Sequence, residues 1–157
     1  MNSNIKKNIL IGAVIYSSFD AIAALIISEF SFTRLFGMMI IGATIYSYEI
    51  PTYFKWIENK SINLKYKKIS KPMFALIYFN PIWIARHLFF IDMLTYGHSD
   101  YSIIIIATKS FIVNIPISLI TNYLIQNYSS LDYRYTLSAF YSGIMAIYYA
   151  LSKILFQ

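Results

Sequence analysis

The sequence predicts an all-α membrane protein, a single domain over residues 1–157 built as a bundle of five transmembrane helices. Hydrophobic residues make up 58% of the chain and charged residues only 13%, about half the share found in a soluble domain. The apolar residues form five long runs, each about as long as the roughly 20 residues that a helix needs to cross a bilayer. Lysines are concentrated between the second and third runs. This placement is typical of a cytoplasmic loop.

The runs cover residues 8–28, 35–56, 73–96, 102–126 and 134–156. The first run is too long for the core of a signal peptide, and no small-residue cleavage site follows it, so we expect it to be retained. The links are short except for residues 58–72, and short links predict antiparallel neighbours. Ala13, Ile15 and Tyr16 recur at one offset as Ala75, Ile77 and Tyr78. This recurrence predicts a repeated two-helix unit, although chance explains it equally well because these residue types are so abundant.

Positive charge predicts the orientation in the membrane. Lys6 and Lys7 precede the first run, and the loop at residues 60–71 carries five more lysines, Lys60, Lys65, Lys67, Lys68 and Lys71. The positive-inside rule places the N-terminus and this loop in the cytoplasm or its organellar equivalent, in a bacterial inner membrane or an organelle membrane. We expect the loop to contact anionic lipid headgroups, which explain these lysines more simply than nucleic acid does.

Ionisable residues within the runs need partners, because a charge at the bilayer centre costs at least ~2.5–3.5 kcal/mol. Counting residues from the ends of the runs places Asp20 level with Arg86, and Asp92 level with Lys109. We therefore predict the ion pairs Asp20–Arg86 and Asp92–Lys109. For Glu49, three alternatives remain open: a pair with His87, a pair with a lysine of the loop, or protonation.

Prolines predict breaks in three of the helices. Pro51, Pro81 and Pro116 each remove a backbone N–H, and Asn80 and Asn114 lie close to two of them. A break beside a polar side chain favours a substrate site, whereas a plain kink with its freed carbonyl satisfied by a neighbour is the simpler alternative. We predict a substrate path lined or supported by Asp20, Glu49, Asn80, Arg86, His87 and Asn114.

Several kinds of chemistry find no support in the sequence. The chain has no cysteine and only two histidines, so we expect neither a thiol nucleophile nor a metal site. It contains no nucleophile–base set, no glycine-rich phosphate loop and no paired-carboxylate motif. The sequence therefore predicts a protein that is not an enzyme and that uses no cofactor.

Landmarks along nearly the whole chain resemble the peroxisomal-membrane-protein and inner-mitochondrial-channel family. They are Asp20, Arg34, Gly42, Tyr53-Phe54-Lys55, Phe79-Asn80-Pro81, Pro116 with Asn122-Tyr123, Arg134, and Tyr149-Ala150-Leu151-Ser152. Ile115 stands where that family has a tryptophan. The resemblance implies a small-solute channel of an organelle membrane without a catalytic set.

A second set of landmarks is similar to the bacterial alanine-exporter family. They are Val14-Ile15-Tyr16-Ser17-Ser18, Ser31-Phe32, Pro51 with Lys55, Phe79 with Pro81, and Pro116. That family also has a duplicated two-helix unit, but its Pro-Tyr-Gly and Arg-Asp signature is missing here. The resemblance implies export of a small amino acid.

Together these observations predict a small-solute membrane channel or exporter for amino acids or small metabolites. The alternative, from a different class, is a non-catalytic structural subunit of a larger membrane protein complex. A homo-oligomer or a larger complex is compatible with the sequence.

Overall fold

The computed structural model describes the backbone of residues 3–155 and the side chains of residues 5–152, and this part of the chain forms five helices and no strand. They are α1 (Ser3–Ile26), α2 (residues 32–61), α3 (Lys67–Tyr96), α4 (Ser102–Tyr128) and α5 (Leu131–Leu155). The predicted all-α fold with five helices is therefore confirmed. Each helix contains the greater part of one apolar run, while α2 and α3 continue into the polar, lysine-rich segment that separates their runs.

Two helices contain a wider π-helical turn. In α2 the turn Gly42–Tyr46 joins Phe32–Ile41 to Ser47–Ser61, and in α3 the turn Ala75–Phe79 joins Lys67–Phe74 to Asn80–Tyr96. Single π turns are frequent at functional sites. The chain stays helical at the predicted breaks Pro51, Pro81 and Pro116: Pro51 and Pro116 lie inside α-helical segments, and Pro81 lies in the first turn of the segment that follows the π turn Ala75–Phe79. A proline removes only one ladder bond, and the bonds on either side of it keep each helix together. The role of these positions in a substrate site stays a prediction.

The packing places α1 and α4 beside two neighbours each. Helix α1 packs against α2 and α5, and α4 packs against α3 and α5. Gly12 of α1 and Gly42 of α2 meet backbone to backbone, since a Cβ atom added to either residue would collide with the carbonyl oxygen of the other. Close approach through small residues is how membrane helices associate, because lipid supplies no hydrophobic drive between them.

Three of the five helices are long and apolar enough to cross a membrane. They are Ile5–Ile26 of α1, Lys67–Tyr96 of α3 and Ser102–Tyr128 of α4. By the same measure, applied to the described residues, α2 and α5 fall short. The surface of the bundle is nevertheless apolar over all five helices, with exposed side chains that include Leu10, Val14, Ile40, Ile82, Ile104, Ile120 and Phe140.

Candidate functional site

The interior of the bundle contains many polar side chains. Fourteen polar or charged residues are buried: Ser17, Asp20, Arg34, Ser47, Ser61, Lys71, His87, Ser110, Asn114, Ser118, Gln126, Arg134, Ser142 and Ser152. In a water-soluble protein such residues lie mostly outside. In membrane proteins, polar side chains that face the interior of a helical bundle are common, and they form hydrogen bonds between helices.

A small cavity lies among α2, α3, α4 and α5 and has a volume of about 30 Å³. This volume exceeds the roughly 10–15 Å³ that one water molecule needs. Side chains with amide or hydroxyl groups line it together with apolar ones. The polar lining consists of Asn80, Trp83, Asn114, Ser118, Asn122, Ser138, Tyr53, Tyr141, Ser142 and Tyr149.

Hydrogen bonds between helices hold the cavity wall together. The Asn80 amide donates to the Ser118 hydroxyl, which joins α3 to α4. The Asn114 amide donates to the Tyr149 hydroxyl over 3.0 Å, and the Tyr141 hydroxyl donates to the Asn114 carbonyl oxygen over 3.3 Å, which joins α4 to α5. Both asparagines of the predicted path therefore lie in one cavity wall.

An aromatic cluster closes one side of the cavity, and we call Tyr16, Tyr46, Trp83, His87 and Tyr149 the aromatic plug. The rings of Trp83 and His87 stack with centroids 4.7 Å apart. The Tyr46 hydroxyl lies 3.1 Å from Nδ1 of His87. The indole N–H of Trp83 and Nε2 of His87 are buried and have no hydrogen-bond partner among the described residues. Trp83, whose indole N–H is unpartnered within residues 5–152, is also a lining residue of the cavity.

The lysine-rich end of the bundle is closed by an ionic cluster around Glu58 of α2. Its carboxylate accepts hydrogen bonds from Lys71 of α3 over 2.6 Å and from Arg134 of α5 over 2.7 Å, and Lys67 lies 3.5 Å away. Lys71 and Arg134 are buried. Partial burial acts to raise the pKa of Glu58, but the hydrogen bonds from these two cations outweigh it and lower the pKa to about 2. The cluster thus joins three helices and keeps an excess of positive charge at this end.

The opposite end is closed by a buried ion pair between α1 and α2. Nε and Nη2 of Arg34 donate to the two carboxylate oxygens of Asp20, each over 2.8 Å, and both side chains are almost fully buried. Nη1 of Arg34 also lies 3.2 Å from the Glu29 carboxylate, to which the Tyr96 hydroxyl donates. Arg34 therefore satisfies two acids at once.

The predicted pair Asp20–Arg86 is wrong. Arg86 of α3 is paired instead with Glu49 of α2, with nitrogen–oxygen distances of 2.9 and 2.5 Å. The Ser31 hydroxyl accepts a hydrogen bond from the Arg34 N–H, caps α2, and places Arg34 in its first turn, where the short 27–31 link brings it beside Asp20. The pair Asp92–Lys109 stays a prediction.

Glu49 and Arg86 line a groove of about 500 Å³ that lies between α2 and α3 on the surface of the bundle. Its other walls are largely aromatic, including Tyr48, Trp56 and Tyr78. Tyr53, Phe79 and Trp83 line both the groove and the small cavity, so these three residues form the wall between the two spaces. A separate cleft of about 440 Å³ lies among α1, α2 and α5, with Lys7, Lys55, Pro51 and Asp132 in its lining.

The predicted path residues thus fall into three places. Asn80 and Asn114 line the cavity, and His87 lies in the adjoining aromatic plug. Glu49 and Arg86 lie in the surface groove. Asp20 is at the end of the bundle with Arg34. Sequence reasoning assigned no ion pair to Arg34, Glu58 or Arg134, and it expected Lys71 at lipid headgroups rather than beside Glu58. For Arg34, the serine three residues before it was the available signal, since Ser31 is a typical N-cap residue.

Among the described residues, the structure contains no group of three or more histidine, aspartate or glutamate side chains that could hold a metal ion. The chain matches no family model, no curated protein and no solved structure. The two family resemblances therefore stay predictions.

Proposed function

We propose that this chain is a five-span integral membrane protein that acts as a channel or exporter for small solutes. The apolar surface of all five helices supports insertion of the whole bundle, including the less apolar α2 and α5. The concentration of lysines supports a cytoplasmic position for the N-terminus and for residues 60–68, where anionic lipid headgroups would meet the exposed Lys60, Lys65 and Lys68. Lys71 is buried against Glu58 and would not meet them.

The observation that carries this proposal is the polar cavity inside the bundle. Hydrogen bonds between helices, such as Asn80 to Ser118 and Asn114 to Tyr149, can serve packing alone. The indole N–H of Trp83, however, is buried without a partner within residues 5–152, and this costs about 1–3 kcal/mol that an apolar residue would avoid. Here three helices each supply amide or hydroxyl groups to one enclosed space: Asn80 from α3, Asn114 and Ser118 from α4, and Ser142 from α5. A transient polar solute is the occupant that such a lining suits.

The structure corresponds to a closed state of the proposed path. A cavity of about 30 Å³ has room for only a few water molecules. The Glu58 cluster and the Asp20–Arg34 pair hold the helices together at the two ends. We infer that a solute passes only when helices move apart at one end, and that the π turns in α2 and α3 provide places where the helices can change shape.

Reconstitution into liposomes tests the proposal. Protein-dependent uptake of small solutes is expected, and Asn80→Leu with Asn114→Leu should abolish it by making the cavity apolar. Thr108→Val is the matched control, because the Thr108 hydroxyl only donates to a carbonyl of its own helix. Circular dichroism and gel filtration in detergent check that the variants fold. Absence of any solute flux with folded protein would refute the proposal, and unchanged flux in the double variant would remove the cavity from the path.

The surface groove favours the second candidate function, a structural subunit of a larger membrane complex. Its aromatic side chains Tyr48 and Tyr78 are exposed in the isolated chain, and a neighbouring membrane segment could cover them. Purification in mild detergent distinguishes the two functions. Constant co-purification of other chains without liposome flux supports a subunit, whereas flux from the isolated chain supports transport.

A further inference from the structure

Among residues 5–152, whose side chains the structure describes, no acidic, basic or histidine side chain lines the small cavity. Its polar groups are amides, hydroxyls, phenols and one indole N–H. Phenols have an ordinary pKa near 10, so all of these groups are neutral at physiological pH. The nearest ionic groups of the predicted path, Glu49 and Arg86, lie in the surface groove on the far side of the wall formed by Tyr53, Phe79 and Trp83.

We propose that this cavity selects small, uncharged polar solutes that carry a hydroxyl or carbonyl group, and that it excludes inorganic ions and zwitterionic amino acids. The inference rests on the proposed transport function and names the substrate class of the same site. The sequence predicted amino acids or small metabolites as substrates, and the inference narrows this range to metabolites without charged groups.

The exclusion of ions follows from the cost of removing their hydration. Moving an ion from water into a dry protein interior costs on the order of tens of kcal/mol unless opposite charges or a ring of oriented dipoles replace the water. The cavity has no charged lining residue within residues 5–152, and its Asn80 and Asn114 amides already donate to Ser118 and Tyr149 rather than surrounding an ion. At the lysine-rich end, the excess of positive charge around Glu58 further opposes the approach of cations.

The preference for an oxygen acceptor follows from the hydrogen bonds within the wall. The Asn80 amide donates to the Ser118 hydroxyl, and the Asn114 amide donates to the Tyr149 hydroxyl. The buried indole N–H of Trp83, in contrast, has no partner within residues 5–152. Trp83 is a lining residue of the cavity, so we expect a hydroxyl or carbonyl oxygen of the solute, as in glycerol and urea, to accept from this N–H. Trp83 also belongs to the aromatic plug, so a solute bound there would lie against the plug.

Proteoliposomes provide the test, with four probes measured on one preparation. Osmotic swelling is followed with glycerol, urea and zwitterionic glycine, and ion flux with KCl. Protein-dependent permeation should be at least about tenfold faster for glycerol and urea than for glycine or K⁺, which corresponds to a barrier difference of about 1.4 kcal/mol. Glycine or K⁺ permeating as fast as glycerol would overturn the inference and leave transport intact. If none of the four probes permeates, the proposed function itself is overturned.

The two tryptophans offer a matched pair of variants that identify the cavity as the site. Trp83→Phe keeps an aromatic ring and removes the unpartnered indole N–H, and it should slow glycerol and urea several-fold. Trp56→Phe makes the same change in a residue that lines only the surface groove, and it should leave both rates unchanged. Equal rates in the two variants, with equal folding by circular dichroism, would overturn the assignment of Trp83.

Discussion

Arg34 and Asp20 carry opposite charges at a place where water is almost completely excluded. The guanidinium donates to both carboxylate oxygens, so neither charge depends on solvent for its hydrogen bonds. Such a pair contributes little more to the free energy of unfolding than an apolar pair of the same shape would. Removing one partner, however, leaves the other charge unpaired in a medium of low dielectric constant. The energetic importance of these two residues therefore lies in their being present together.

Removing one partner is predicted to be more damaging than removing both. Asp20→Asn or Arg34→Gln should lower the free energy of unfolding by about 3–5 kcal/mol, and the double variant Asp20→Leu with Arg34→Met should lose less than either. Denaturant unfolding in detergent micelles measures all three. Asp100→Asn, in the exposed 97–101 link, is the control and should change little. Losses that simply add in the double variant would contradict the pairing.

Glu58 is predicted to make the bundle less stable in acid. Its pKa in the folded protein is about 2, below its ordinary value of 4.5, so its contribution is present above pH 4.5 and is lost as the pH falls through 4.5 toward 2. The melting temperature in detergent should therefore fall over this range. Glu58→Gln should start lower at neutral pH and fall less on acidification. An equal fall in both proteins would assign the acid sensitivity to other carboxylates.

At the level of elements, the crossing of α1 and α2 depends on two glycines. A methyl group at residue 12 or 42 would collide with backbone atoms of the facing helix, which cannot move aside without separating the helices. Gly12→Ala and Gly42→Ala should each destabilise the protein by about 1–3 kcal/mol. Gly37→Ala is the control, because the methyl there meets only the flexible end of the Leu94 side chain. Thermal unfolding in detergent gives the comparison, and equal losses at all three positions would contradict it.

The helices were predictable from sequence, but their rotations were not. Apolar runs of membrane-spanning length predict five helices because hydrophobicity and helix length are local properties. Which charged residues face each other depends on rotation and register between helices. Glu49 and Arg86 thus form a pair that depth alone did not predict. Arg34 was assigned to the link between the first two runs because the second apolar run begins at residue 35, whereas its helix already begins at Phe32. The π turns also went unpredicted, since no residue type specifies them in the way that glycine specifies a left-handed turn at Gly97.

For the whole molecule, the number of helices that cross the bilayer decides on which side each link lies. With five crossings, Lys6 and Lys65 lie on the same side of the membrane. If only the three most apolar helices cross, α2 remains outside the bilayer, and the two lysines lie on opposite sides. The exposed apolar residues of α2 favour five crossings, because leaving Phe36 and Ile40 in water would forfeit their transfer to lipid.

The absence of native cysteine allows this arrangement to be tested with single reporters. Lys6→Cys, Lys65→Cys and His98→Cys each place one thiol at an exposed position near a helix end. In sealed inverted and right-side-out vesicles, a membrane-impermeant maleimide should label residues 6 and 65 from the cytoplasmic side and residue 98 from the other side. With five crossings, two helices separate residue 6 from residue 65, and one helix separates residue 65 from residue 98. Detergent-opened vesicles, in which every reporter should react, control for buried thiols. Labelling of residues 6 and 65 from opposite sides would show that α2 does not span the membrane. In that case the cavity among α2, α3, α4 and α5 could not lie within the bilayer, as the proposed path requires.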